Sequence, residues 1–227
     1  MKKITALLLL NCTLFLYSCT TLQNAAANIL SERDAINAIK EMLTIGASNG
    51  NALINKNMLM DAVLPQELSK VLQTLQQLGL SNEVERFSGT ITNAATQTAT
   101  NSIPIFISGI KRMNIRDAIN IVKNGGTAAT DYLRATVGDS LRTAVTPIMR
   151  TSLNEYKIAD EWNRLIGPAK LALGNKANLN LNIDNLLAGV VTNAMFNKIA
   201  EQETVIRTKA EARTTQLLQK VFGRTWN

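Results

Sequence analysis

The stretch that decides the fold is Met113–Met149, MNIRDAINIVKNGGTAATDYLRATVGDSLRTAVTPIM. Its apolar residues recur three, four and seven positions apart, which is the periodicity of a helix with one buried face. Two glycines interrupt that pattern within Lys123–Gly126, as expected where a helix ends. We therefore predict one helix capped by Asn114, a stop at the glycine pair, and a second helix that begins at Thr127.

Farther along the same stretch, Gly138 predicts a break, and Asp139 can cap the helix that follows it. Pro147 then lies inside that helix and is expected to kink it. The same periodicity continues on both sides of the stretch, from Ser31 to Phe222, while strict alternation is almost absent. Ser31 can cap the first helix, and a second helix starts at Pro65 and ends at Gly79. A further helix from Asn82 is predicted to run to Pro104, and Trp162 and Leu165 share one face of a later helix. The sequence predicts an all-α, single-domain bundle of about nine helices with short connections.

The N-terminus carries an export signal. Two lysines precede a short apolar run, and that run is too short to span a bilayer. It ends in Leu16–Cys19, LYSC, which has the leucine, small residue and cysteine of a bacterial lipobox. The alternative is an ordinary cleaved signal with an incidental cysteine. We predict a signal peptide at 1–18, lipidated Cys19 with a short tether at 19–30, and a helical domain at 31–227.

Cysteine usage agrees with the lipobox interpretation. The chain has two cysteines, and Cys12 would leave with the signal, so Cys19 would remain without a disulfide partner. The two or three acyl chains of a bacterial lipoprotein are enough to anchor it to a membrane. Thr20 follows the cysteine where an aspartate would favour inner-membrane retention. We expect an outer-membrane lipoprotein that faces the periplasm.

Composition restricts the chemistry of the protein. There is no histidine, which excludes Ser-His-Asp and Cys-His catalysis and leaves no histidine to bind zinc. The net charge of +7 indicates a solvated surface or attraction to anionic lipids or acidic polymers. We expect no enzyme activity, no cofactor, no metal and no nucleic-acid partner. The oligomeric state is left open.

Three stretches carry a resemblance to a known family. They are Met113–Met149, Pro65–Leu80 (PQELSKVLQTLQQLGL) and Ile199–Gly223 (IAEQETVIRTKAEARTTQLLQKVFG). Within them, GGTAATDYLR and ARTTQLLQKVFG are the most specific pieces. Together the stretches resemble a bacterial lipoprotein family catalogued only as a domain of unknown function. The resemblance implies an exported, helical, single-domain lipoprotein, and it implies no activity.

GGTAATDYLR is the first candidate binding site. The glycines allow a turn, and the first amides of the following helix point outward, where they could bind an anion. The alternative is a purely structural role, in which one helix ends, the next begins, and residues 131 and 134 form a surface ion pair. The helix dipole alone would also explain the acidic residue in the first turn. The candidate residues are Gly125, Gly126, Thr127, Asp131, Tyr132 and Arg134.

EARTTQLLQKVFG is the second candidate. Arg207 and Arg213 could bind a carboxylate or phosphate, for which the guanidinium fork is suited. In the structural alternative, Thr214 or Thr215 caps the last helix, and Arg213 pairs with Glu201 or Glu203.

Three functions remain open. The first is a non-enzymatic envelope protein that binds a protein partner or an anionic ligand and reaches the membrane through Cys19. The second is a small-molecule or lipid-binding protein with a groove along the Thr/Ala-rich helix Asn82–Asn101. The third is a glycan hydrolase, which needs two carboxyls facing each other across a cleft. Its candidate carboxylates are Asp160, Glu161, Glu201 and Glu203.

Overall fold

The structure is a computed structural model that describes residues 29–49, 66–174 and 183–226. Within these ranges the regular structure is helical and includes no strand, which confirms the predicted all-α class, and the nine α-helices match the predicted count. Numbered in chain order, they are α1 Glu32–Asn49, α2 Gln66–Gln77, α3 Ser81–Arg112, α4 Ala118–Asn124, α5 Ala128–Glu155, α6 Ile158–Ile166, α7 Lys170–Leu173, α8 Ile183–Thr208 and α9 Gln216–Phe222.

The centre of the bundle is the pair α5 and α8, which run antiparallel. Thr130 of α5 contacts Glu203 of α8 at one end, and Arg150 contacts Asp184 at the other. Helix α3 packs on α5, and α1 packs on α8 and α3. The rings of Phe106 and Phe196 meet edge to face in this core, with centroids 5.4 Å apart.

Two glycines allow the central helices to approach closely. A Cβ added at Gly46 of α1 would lie 3.1 Å from the Cα of Ile199 in α8. A Cβ at Gly109 of α3 would lie 3.1 Å from Cδ2 of Leu141 in α5. Side chains at these positions would push the helices apart, so the packing depends on glycine there.

Two predicted helix breaks are wrong. Helix α3 continues through Pro104 to Arg112, and α5 continues through Gly138 to Glu155, with Pro147 inside it. Proline inside a helix removes one backbone hydrogen bond, and glycine is a weak helix former. Both costs are local. Each helix gains a continuous buried face on the far side of the break, as at Phe106 in α3 and Leu141 in α5.

Some predicted helix ends are confirmed by the structure, and one is wrong. The hydroxyl of Ser31 accepts the N–H of Asp34 at 3.1 Å, as a cap should, and Gly79 ends α2 with a φ of +87°. The predicted cap at Asn114 is wrong, because α4 begins at Ala118 after Asp117. The residues from 113 to 117 are not helical, and the side chain of Ile115 is buried in the core.

Pro168 changes the helix in which it lies. Helix α6 ends at Ile166, a 3₁₀ turn covers Gly167–Ala169, and α7 follows. The predicted helix start at Pro65, the signal at 1–18, and Cys19 lie outside the described residues. Ile29 and Leu30 are the described part of the predicted tether, and Leu30 is already buried in the core. None of the helices within the described ranges combines the length and the apolar character needed to cross a bilayer.

Candidate functional site

The glycine pair of the first candidate site ends α4. Gly125 and Gly126 have φ angles of +68° and +55°, which residues other than glycine rarely adopt, so the predicted helix stop is confirmed. Thr127 precedes α5 at the capping position. Its hydroxyl donates to Oδ2 of Asp131 at 3.0 Å and makes no bond to a helix amide.

The amides at the start of α5 are occupied by a carboxylate of the protein itself. The N–H groups of Ala129 and Thr130 donate to Oε1 and Oε2 of Glu203, at 3.0 and 2.8 Å. The hydroxyl of Thr130 also donates to Oε2, at 2.6 Å. The Glu203 side chain is 1% exposed. The helix N-terminus therefore binds an anion, as its dipole favours, and that anion is Glu203.

Arg207 completes the binding of Glu203. Its Nε donates to Oε1 at 2.9 Å, and its two other nitrogens donate to the carbonyls of Val122 and Ile121 at 3.0 and 3.1 Å. These carbonyls belong to the last turn of α4, where a cation is favourable. The Arg207 side chain is 8% exposed and also lies over the ring of Phe222. One ion pair thus joins the end of α4, the start of α5 and the end of α8.

Arg213 is placed differently from the prediction. It donates to the backbone carbonyls of Ile206 and Arg207, at 3.0 and 2.8 Å, and so caps the C-terminus of α8. The predicted ion pair with Glu201 or Glu203 is wrong. Glu203 binds Arg207, one turn away on the same helix, and Glu201 binds Lys198 at 2.6 Å.

The two threonines of the second candidate are now distinguished. Thr215 caps α9, since its hydroxyl accepts the N–H of Leu218 at 3.2 Å. Thr214 is exposed, and its N–H donates to the carbonyl of Ala212. The structural alternative is therefore confirmed for Thr215.

Tyr132 and Arg134 also make contacts within the fold. The Tyr132 hydroxyl donates to the carbonyl of Asn114 at 2.9 Å and holds the segment before α4 against α5. Arg134 points to α8, where it donates to Asn193 and Asn197 at 3.3 and 3.1 Å and lies over Phe196. The predicted surface ion pair between residues 131 and 134 is wrong, because each side chain has a different neighbour.

The structure brings both candidate stretches to one end of the bundle. There Glu203 uses the amides that were predicted to bind a ligand, and Arg207 and Arg213 bind groups of the protein. Sequence reasoning missed Glu203 as the acceptor. The signal was a glutamate four residues before an arginine on one helix face, which is a common intrahelical pair.

A cavity of about 410 Å³ lies at the opposite end, among α2, α3, α5, α6 and α8. Trp162 packs against Phe87 with ring centroids 5.5 Å apart. Around these rings lie Leu68, Leu153, Ile158 and Ile183, while Asn154 and Asn163 provide exposed polar groups. A volume of this size, lined by apolar side chains together with several polar groups, lies in the range of small-molecule sites.

An ion pair lies at the edge of this cavity. Arg150 places Nε and a terminal nitrogen 2.8 and 2.7 Å from Oδ2 of Asp184. These hydrogen bonds, with one from the N–H of Asn185, hold the pKa of Asp184 below its ordinary value. Asp184 is therefore ionised at neutral pH and offsets the charge of Arg150. Among the described lining residues it is the only carboxylate.

The predicted hydrolase carboxylates and the predicted groove along α3 lie outside this cavity. Asp160 and Glu161 lie on α6, and Glu161 pairs with Arg164 at 2.7 Å. On α3, Ala95, Thr98 and Ala99 are buried in close helix packing, and the exposed side has a shallow recess near Tyr156. Within the described ranges, no three acidic or cysteine residues group in a way that could hold a metal ion.

Sequence reasoning missed the cavity. It placed Trp162 and Leu165 on one helix face, and spacing alone does not distinguish a wall of a cavity from a filled core. Phe87, Leu153 and Trp162 meet only because α3, α5 and α6 converge in the folded chain.

The fold and the site define the protein as an all-α, single-domain bundle with a buried polar network at one end and a small cavity at the other. The model of a family described as a protein of unknown function, DUF4197, matches residues 29–223, and the chain belongs to that family. No curated protein and no solved structure matches it significantly.

Proposed function

We propose that this chain is a lipid-anchored, periplasm-facing protein of the bacterial envelope that binds an amphipathic small molecule and catalyses no reaction. The Leu16–Cys19 lipobox supports the anchor. The cavity beside Trp162 carries the binding proposal, because its lining combines apolar side chains with polar groups. A ligand that fits it has an apolar group and a few hydrogen-bonding atoms.

The geometry favours binding over hydrolysis. A glycosidase needs two facing carboxyls, one of which has a raised pKa so that it can donate a proton. At the cavity, the described lining offers only Asp184, and Arg150 lowers its pKa. The four carboxylates considered from sequence are not part of that lining, and Glu203 is buried in the polar network.

Native mass spectrometry of the full chain, purified from membranes in mild detergent, tests the proposal. We expect wild type to carry a discrete added mass beyond its acyl chains. A159F places a ring at an exposed position on the cavity wall and should lose that mass. A135F adds the same ring at an exposed position on α5 about 22 Å from Arg150 along the helix, and should keep it. Wild type without a bound molecule, or A159F with the same mass, would contradict the proposal.

A further inference from the structure

The end of the bundle where the N-terminal segment joins the domain has its own surface chemistry. Ile29 is 72% exposed, and Leu30 beside it is buried. Around them is a concavity of about 490 Å³, whose other lining residues include Ile119, Lys123, Arg224 and Trp226. We call the exposed and half-buried set Ile29, Ile119, Lys123, Arg224 and Trp226 the tether face.

From this geometry we infer that the tether face rests on a phospholipid bilayer and contacts anionic headgroups. The inference rests on the proposed anchor at Cys19. Ten residues separate Cys19 from Ile29, and an extended chain of that length reaches at most about 35 Å. The anchor therefore keeps this end of the domain, more than any other, close to the membrane.

The side chains of the tether face suit the interfacial region of a bilayer. Trp226 is half-buried, and its indole N–H donates to the carbonyl of Val221 at 2.7 Å, so the ring is held in place. Arg224 lies over that ring, 4.8 Å from its centroid. Tryptophan concentrates at membrane interfaces, and arginine and lysine are attracted to anionic lipids. Ile29 adds an exposed apolar group at the same edge.

Two acidic groups near this end form hydrogen bonds within the protein. Asp34 accepts from the ammonium of Lys220 at 2.8 Å. Glu32 accepts the backbone N–H of Ala118 at 2.7 Å. Both carboxylates are therefore bonded to groups of the protein.

This orientation would also determine how far the cavity lies from the membrane and which way it opens. Helix α8 carries Asp184 at the cavity and Arg207 near the tether face, and 23 helical residues separate them by about 35 Å. With the tether face on the membrane, the cavity opens toward the periplasm, away from the lipid.

The two tryptophans of the chain allow a direct test. The full chain, purified from membranes, is first checked for acyl mass and then reconstituted into vesicles of brominated phosphatidylcholine with phosphatidylglycerol. W162F leaves Trp226 as the reporter, and W226F leaves Trp162. We expect the brominated lipid to quench Trp226 roughly threefold more than Trp162. Equal quenching would overturn the inference.

Charge variants provide the matched control and retain both tryptophans. K123Q/R224Q should lower the quenching of the tryptophan signal toward that seen in vesicles without phosphatidylglycerol. K157Q/K170Q removes the same charge from exposed positions just before α6 and at the start of α7 and should change nothing. Equal changes in quenching in the two double variants would contradict a role for the tether face.

The outcomes separate this inference from the proposed anchor. A chain without acyl mass would refute the anchor, and the same quenching comparison, made with the chain added to preformed vesicles, would still test the face. A chain with acyl mass, in which Trp162 is quenched as strongly as Trp226, would leave the anchor intact and refute the face.

Discussion

At the scale of single residues, Glu203 decides how one end of the molecule is built. Burial of a carboxylate costs several kcal/mol unless its oxygens are bonded. Here two backbone amides, one hydroxyl and the guanidinium of Arg207 donate to it. The same arrangement would bind an anionic ligand, and the protein uses it to join three helices.

The first prediction concerns this buried pair. E203Q should destabilise the protein by about 3–5 kcal/mol, because it leaves the guanidinium of Arg207 buried without its counter-ion. Urea unfolding followed by circular dichroism measures the change.

The control for E203Q lies two residues away on α8. E201Q neutralises a carboxylate that is 57% exposed and pairs with Lys198, so it should cost at most about 1 kcal/mol. Similar losses in the two variants would contradict the central role of Glu203.

The second prediction concerns acid sensitivity. Arg150 lowers the pKa of Asp184 from 3.8 in the folded state, and Lys220 does the same for Asp34. A lowered folded-state pKa means that each ion pair stabilises the fold fully above the unfolded-state value. That stabilisation is lost as the pH falls below about 4, through the folded-state pKa.

Urea unfolding as a function of pH tests the contribution of each pair. D184N and D34N should each lose less stability than wild type between neutral pH and the acid range. The two pairs lie on different helices and share no residue, so their effects should add. A steeper loss of stability in either variant than in wild type would refute the assignment.

At the scale of elements, buried faces prevail over local helix breakers. Gly138 lies in the middle of α5, and an added Cβ would meet Arg134 and Phe196 at 3.8 Å, an ordinary contact distance. Gly46 lies in α1 against the backbone of Ile199. The two glycines differ in the space around them, since only Gly46 lies close to the backbone of a neighbouring helix.

The third prediction follows from that difference. G138A should stabilise the protein by about 0.5–1 kcal/mol, because alanine has the higher helix propensity and fits without displacing a neighbour. G46A should destabilise it by roughly 1–3 kcal/mol, because the added methyl displaces α8. Thermal unfolding of the two variants gives the signs, and a destabilising G138A would indicate a real break in α5.

At the scale of the whole molecule, the two ends have different chemistry. One end has the Glu203 network and the tether face, and the other has the cavity beside Trp162. The long helices α5 and α8 hold these ends apart. This separation is compatible with a domain attached to the membrane at one end that binds its ligand at the other.

The fourth prediction concerns the attachment itself. C19A should abolish acylation and leave unprocessed precursor or free protein, because the Cys19 thiol is the proposed attachment point of the lipid. Mass spectrometry of the N-terminal peptide and membrane fractionation measure both effects. S18A keeps a small residue before the cysteine and should be processed normally. A wild-type chain that is cleaved but carries no acyl mass would refute the lipobox interpretation.

The sequence by itself determined the all-α class, because the period of 3.6 residues is carried by neighbours along the chain. It also indicated the helix ends at Ser31, Gly79, Gly125 and Thr215, where one side chain or one positive φ suffices. These features depend on interactions within a few residues, so local patterns are enough to predict them.

Only the tertiary structure decided what the candidate sites do. Ala129 and Glu203 are 74 residues apart in sequence, and nothing local indicates that the amide of one donates to the carboxylate of the other. The continuity of α3 and α5 through Pro104 and Gly138 likewise depends on the faces that other helices cover. Burial against distant helices outweighs local propensity, and it determines which polar groups are bonded and where a cavity remains.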